Sequence, residues 1–324
     1  MDLPAVTPPY ADARRAAVTL AAPFGKLGEL GCWLAAAQGA CPPRPPERPR
    51  VVVIAGDHGI AEAGVSAHPA GTTAKQVEAV REQAAPVAVA AAEAGATIRV
   101  VDVALDHDPE DARFHVRRGS GRIDRDDALT AEEVEQAFAV GRTLADDEVD
   151  AGADLLVPVS LGVGATTPAS TLVAALTGTE PVAVIGRGSG IDDTGWMRKA
   201  AAVRDALRRA KPHTRDPLAL LRVAGGADLA AIAGFCVQAA VRRTPVLLDG
   251  LVVGVGALLA EEIARGAHDW WLLAQRSPEP ALALATDHLG LKPALDLGIR
   301  LDDGTGAAAV IPLLQMAARL LAVP

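Results

Sequence analysis

Aromatic residues make up only 3% of this 324-residue chain, so its core cannot rest on Phe, Tyr and Trp. Packing must rely on Ala, Val and Leu. Cysteine is scarce as well. Cys32, Cys41 and Cys236 form no CxxC pair and have no histidine cluster beside them, so neither a disulfide framework nor a zinc site is expected. No uncharged apolar run reaches membrane-spanning length. The opening stretch, MDLPAVTPPYADARRAA, contains Asp2 and several prolines and lacks an apolar h-region. No signal peptide or membrane partner is therefore expected, and a cytoplasmic location is. Positive charge is in deficit: 31 basic residues against 40 acidic ones leave a net charge of −9 at pH 7. That balance argues against nucleic acid as a partner. It leaves room for a phosphorylated small molecule, because backbone N–H groups hold phosphate whatever the global charge.

What is present is a chain with 50% hydrophobic and 22% charged residues, enough for one large domain with an appendage or for two domains. Residues 11–40 read as helical, and CPPRPPERPR after them is a connector too proline-rich to continue a helix. The run Val51–Ile54 is short, apolar throughout and bounded by Gly56, as expected of a strand buried on both faces. Thr97–Val103, Asp154–Ser160, Pro181–Gly186 and Thr244–Gly250 repeat the type. Between them, Thr73–Ala94, Ala131–Ala145, Trp196–Ala210 and Asp228–Val241 have helical period. The alternation predicts an α/β fold with a mainly parallel sheet covered by helices on both faces. Asp106–Asp127 reads as an excursion loop. Beyond residue 267 no strand is expected, and Ala281–Leu289 and Ala307–Leu321 read as helices. The predicted division is an α/β core over 45–267, with 1–44 and 268–324 forming a small helical subdomain. In such sheets the ligand crevice lies at the carboxyl ends of the strands.

Four loops draw attention: GDHG (Gly56–Gly59), LGVGATT (Leu161–Thr167), GRGSGIDD (Gly186–Asp193) and DDGTGAA (Asp302–Ala308). Three of them combine glycines with Ser or Thr ahead of a helix, which suits a phosphorylated ligand. None has the GxxxxGKS/T spacing of a P-loop, and GVGATT is not the GxGxxG dinucleotide fingerprint. An oxidoreductase reading based on the sheet alone is therefore disfavoured. Each acid in these loops also has a plain reading. Asp57 suits a turn with His58 packed beneath it. Asp192 and Asp193 suit a helix N-terminus. Asp302 and Asp303 suit a turn, and Lys199, beside Arg198, reads as an exposed lysine.

Taken together, GKLGELGCWLAAAQG, VVVIAGDHGIAEAGVSAHP, GATTPAS, GRGSGIDDTGWMRK, TPVLLDG and LGLKPALDLGIRLDDGTGAA resemble the segments of one family, in its order. It is the nicotinate-nucleotide:dimethylbenzimidazole phosphoribosyltransferases of cobalamin biosynthesis, and the likeness runs from about Pro23 onward. The resemblance implies a Rossmann-like core and a cytoplasmic, homodimeric glycosyltransferase. Its reaction would move phosphoribose from nicotinate mononucleotide to 5,6-dimethylbenzimidazole or a related aromatic base, giving α-ribazole 5′-phosphate and nicotinate. No cofactor or metal is implied, because the leaving pyridinium already carries positive charge.

Residue by residue, the resemblance places Gln76 and His68 at the aromatic base, with Asp57 and His58 in the GDHG stretch. It places Ser160, Gly162, Gly164, Thr166 and Thr167 on one phosphate-side loop, and Arg187, Gly188, Ser189, Gly190 and Asp192 on the other. Lys199 falls on the active-site lysine, and Asp303, ahead of Gly304, Thr305 and Gly306, falls on the general base. Several positions depart from the family pattern, among them Gln275, Ala281 and Leu282 in a stretch where a histidine and a Gly-His pair are common. Ser160 stands where a glutamate is usual, Ala165 where an asparagine is, and Asp303 is one methylene shorter than the usual base. These departures motivate a second expectation, a catalytically impaired paralogue acting as a ligand-binding, regulatory or hetero-oligomer subunit beside an active homologue.

Overall fold

The computed structural model describes residues 4–109 and 111–323. Its strands are β1 (Pro49–Gly56), β2 (Thr97–Ala104), β3 (Leu155–Leu161), β4 (Val246–Leu248) and β5 (Trp271–Leu273). Its helices run in chain order: α1 (Ala11–Ala21), α2 (Gly25–Gln38), α3 (Thr72–Arg81), α4 (Pro86–Glu93), α5 (Ala131–Asp150), α6 (Thr166–Thr177) and α7 (Pro181–Val184). Then follow α8 (Asp193–Ala210), α9 (Pro217–Ala224), α10 (Ala227–Val241), α11 (Leu251–Ile263), α12 (Pro280–His288) and α13 (Thr305–Leu321). Among the described residues, no helix is long and apolar enough to cross a membrane.

The strands form one parallel sheet in the order β2-β1-β3-β4-β5. The chain steps outward from β1 to β2, then returns past β1 to lay down β3. The loops leaving β1 and β3 therefore part in opposite directions, and the crevice between them is where such sheets hold ligands. Alternation along β1 sets the two layers. Val52 and Ile54 face Phe138 of α5 and Phe235 of α10 within the larger apolar cluster. Val51 and Val53 face Leu30 of α2, Val87 of α4 and Val310, Ile311 and Leu314 of α13. Each fully buried aliphatic side chain contributes about 1.5–3 kcal/mol, so the all-apolar run Val51–Ile54 is stable only between two helical layers.

Four elements differ from the sequence-based expectation. Residues 11–40 are two helices separated by a single 3-10 turn over Ala22–Phe24, where Pro23 interrupts the α-helical ladder. Thr73–Ala94 is likewise broken into α3 and α4 by Gln83, at φ +60°, and by Pro86, which starts the second helix. Pro181–Gly186 is not a strand. Pro181 opens the four-residue α7, of which only Val184 is buried, so the segment lacks the two covered faces that its apolar pattern implied. Conversely, β5 pairs with β4 over three residues where no strand was expected. Its Trp-Leu-Leu run carries no β-branched residue to signal it.

Candidate functional site at the carboxyl ends of the strands

The site is built where β1, β3 and β4 end. Asp57, just past β1, is a tether. Its Oδ1 accepts from Thr73 Oγ1 (2.5 Å) and its Oδ2 from Asp106 N–H (3.0 Å), joining α3 to the excursion loop. Thr73 Oγ1 also accepts from Val163 N–H (3.0 Å), so α3 is pinned to the loop after β3. His58 is buried, with Nε2 3.2 Å from Asp228 Oδ2. Burial opposes its charge, but the adjacent Asp228 carboxylate outweighs that and holds the imidazole pKa above its ordinary value. Ser160 Oγ donates to the same Asp228 oxygen (3.3 Å). A carboxylate therefore stands beside Ser160 although residue 160 has none of its own.

Past β3, Gly162 and Gly164 lead into α6, whose first residues are Thr166 and Thr167. Lys199 reaches this helix start from α8. Its Nζ donates to Thr166 Oγ1 (2.9 Å) and lies 3.5 Å from Gly186 O. The expectation of an exposed lysine fails: Lys199 is 0% exposed, because α8 turns this position under the Gly186–Gly190 loop and leaves Arg198 outside. Burial lowers its pKa to about 8, with nearby Glu279 opposing the shift. Gly188 closes the cluster. A methyl group at its Cα would sit 3.1 Å from Thr166 Oγ1 and 3.4 Å from Lys199 Nζ. The two glycine-rich loops thus meet over one ammonium group.

The opposite wall is acidic. Asp302, at φ +52°, accepts through Oδ2 from Leu251 N–H and Ser277 Oγ (both 3.2 Å). Burial raises its pKa against those two hydrogen bonds. Asp303 Oδ1 accepts from Thr305 N–H (3.0 Å) at the start of α13. Gly304, at φ +92°, lies so close to β3 that a Cβ there would be 2.4 Å from Val159 Cγ2, which seats this acidic turn on the end of the strand. Beneath it, Asp249 leaves β4 with 1% exposure and accepts from Ala307 N–H (3.2 Å). Burial, then the Asp302 charge, push its pKa up to about 6. Glu279 joins the two walls. Its Oε1 accepts from Gly188 N–H (2.8 Å), and its own N–H donates to Ser277 Oγ (3.2 Å).

The remaining sequence candidates sit around this centre. Asp192 caps α8 by accepting from Gly195 N–H (2.7 Å). Arg187 turns to Ile191 O and Asp193 rather than into the crevice. Ser189 Oγ meets Ser66 Oγ (3.1 Å) and Ala67 N–H (2.9 Å), tying the loop that carries His68 to the glycine-rich loop. His68 itself is exposed, and Gln76 is half-buried on α3. Gly190 and Gly306 complete the two loops, with Gly306 packed on Gln275. Sequence reasoning passed over Asp228, Asp249 and Glu279. Asp249 alone had a signal, since it ends the apolar strand TPVLL. A cavity of about 460 Å³ lies at the other end of the strands, among Gln38, Arg44 and Asp154, and contains none of these loops.

Comparison with known proteins bears on this geometry. Residues 8–323 match the sequence profile of a phosphoribosyltransferase family. The nicotinate-nucleotide–dimethylbenzimidazole phosphoribosyltransferase of Mycobacterium avium (strain 104) is 55% identical, over 99% of this chain and 95% of its own. Its counterpart in Corynebacterium efficiens is 50% identical, over 96% of this chain and 85% of its own. The crystal structure of CobT from Thermus thermophilus superposes with a TM-score of 0.91 at 36% identity, covering 96% of both chains.

Proposed function

Because the chain belongs to the phosphoribosyltransferase family whose profile spans its residues 8–323, we propose that it moves phosphoribose from nicotinate mononucleotide onto 5,6-dimethylbenzimidazole or a related aromatic base. The observation that carries the reading is the meeting of Lys199, Thr166 and the Gly186–Gly188 turn opposite Asp302 and Asp303, at the carboxyl ends of the strands. One wall suits the anion of a mononucleotide. The other offers a proton acceptor.

In this reading the 5′-phosphate binds at Lys199 and the start of α6, where an ammonium and a helix N-terminus favour the same charge. The attacking benzimidazole nitrogen forms a bond to C1′ as the C1′–pyridinium bond breaks. The bonding pair goes to the pyridine nitrogen, and neutral-ring nicotinate departs. The proton on the other benzimidazole nitrogen leaves to Asp303, the carboxylate at the family's base position. Gln76 and His68 line the slot for the incoming ring. Asp57 and Asp192 act by holding loops, through the tethers described above. Assembly as a homodimer in the cytoplasm is part of the proposal.

The departure at Ser160 motivates the alternative of a non-catalytic binding paralogue, but nothing in the comparisons favours it, and Asp228 supplies a carboxylate beside that position. The experiment is direct. Purified protein incubated with nicotinate mononucleotide and a panel of benzimidazoles and purines is expected to release nicotinate and form a ribosylated base. Nucleotide binding without release on any acceptor would instead establish the paralogue.

A further inference from the structure

Glu279, like Asp228, Asp249 and Asp302, has a buried oxygen that no described residue answers, and it alone of these also holds the Gly186–Gly188 turn beside Lys199. It is 7% exposed, at the N-cap of α12. Oε1 is fixed by Gly188 N–H at 2.8 Å, while Oε2 is buried and accepts no hydrogen bond from any described residue. The carboxylate lies flat against Gly186: a Cβ there would be 2.2 Å from Oε2 and 2.4 Å from Cδ. Its position is therefore set on two sides. Lys199, across the same loop, spends its ammonium on Thr166 Oγ1 and Gly186 O and makes no ion pair with Glu279. A desolvated carboxylate and a desolvated ammonium thus face one loop without neutralising each other by contact.

We propose that Glu279 Oε2 accepts a hydrogen bond from the ribose 2′- or 3′-hydroxyl of the phosphoribosyl donor, making Glu279 a substrate-positioning residue that selects ribo over deoxyribo donors. The inference rests on the mononucleotide reading above. Its chemistry follows from the kinds of group available. A buried acceptor with a fixed position needs a donor, and a phosphate oxygen offers none and is repelled by the carboxylate. A sugar hydroxyl is a neutral donor, and in a nucleoside 5′-phosphate it sits on the ring that carries the phosphate. Phosphate at Lys199 and hydroxyl at Glu279 would orient C1′ from two points, the positioning that displacement at that carbon requires.

The test compares nicotinate mononucleotide with its 2′-deoxy and 3′-deoxy analogues, by calorimetric Kd and by kcat/KM. Wild type is expected to favour the ribo donor over one of the analogues by roughly 10- to 100-fold, the range for a hydrogen bond to a charged group. Glu279→Gln keeps an acceptor for Gly188 N–H and is expected to lose most of that preference by weakening the ribo donor alone. A merely loop-holding role lowers all donors alike, so an unchanged ratio overturns the inference. Should the variant misfold, the wild-type ratios decide: values near one for both analogues overturn it. Failure of wild type to bind nicotinate mononucleotide at all is a separate outcome, and sinks the mononucleotide reading together with this inference.

Discussion

Lys199 is the residue on which charge in the crevice turns. A pKa lowered to about 8 means that the ammonium is present below that pH and lost above it. Affinity for nicotinate mononucleotide is therefore expected to fall as pH rises through about 8, and Lys199→Met is expected to weaken binding and remove that pH dependence. Titrations between pH 7 and 9.5 check both, and a wild-type Kd flat across the range would remove Lys199 from the anion site. Asp303 is separable from it. If Asp303 takes the proton, Asp303→Asn lowers kcat by roughly 10²–10⁴-fold and leaves nucleotide Kd nearly intact, whereas Asp303→Glu keeps or raises the rate. Equal rates in all three proteins would reduce Asp303 to its turn with Thr305 N–H. The loops that meet in this crevice were legible in the sequence, because glycines beside Ser and Thr mark them and DDGTG marks the acidic turn. Glu279 was not. What makes it a site residue is the amide of Gly188 and the bare Cα of Gly186, both some ninety positions away in the chain. No local spacing records such a meeting, nor the burial of Lys199.

Between elements, the pairing of α5 with α10 is where composition becomes geometry. With so few aromatics, these helices approach through small residues. A Cβ on Gly141 would lie 1.8 Å from Ala231 O, and one on Gly234 would lie 2.1 Å from Phe138 O. Intrinsic propensity favours alanine over glycine inside a helix by about 1 kcal/mol, so sequence logic alone predicts that Gly141→Ala stabilises. The contact is with backbone, which cannot swing aside, and the sign reverses. A loss of roughly 1–3 kcal/mol is expected by denaturant titration, and a gain would show that the two helices can part cheaply. The same limit explains which elements the sequence disclosed. Val51–Ile54 is β-branched and bounded by glycine, and it is a central strand. Pro181–Val184 shares the apolar pattern but begins with a residue that suits the first turn of a helix and has no strand beside it. Pattern reports burial, and neighbours decide whether burial is met as strand or helix.

At the scale of the whole molecule, the terminal helices meet. α2 and α13 pack together, and Leu30 and Leu314 lie in one cluster with Val51, Val53, Leu155 and Val157 of the central strands. Of the two end segments expected to form a helical subdomain, β5 joins the sheet and α12 packs in the opposite cluster, so we propose that the helical layer consists of α2 and α13 and depends on the core, because their apolar faces close one side of its sheet. The acidic turn is carried on this layer, at the start of α13, while Lys199 is carried on the core, so the two walls of the crevice are aligned only when the layer is docked. Leu314 tests the coupling from a position far along α13 from the acidic turn. It is 0% exposed, and Leu314→Ala is expected to cost about 2–5 kcal/mol, the usual range for a leucine cavity in a core. If layer and core are one cooperative unit, calorimetry shows a single transition moved down in temperature, with near-ultraviolet and far-ultraviolet dichroism melting together. If the layer folds apart from the core, the variant shows a new early transition while the original one keeps its midpoint. In the single-unit case the variant, assayed well below its midpoint, retains wild-type kcat, because the docked state still aligns Lys199 with Asp303. In the other case activity is lost with the first transition, while the sheet remains folded.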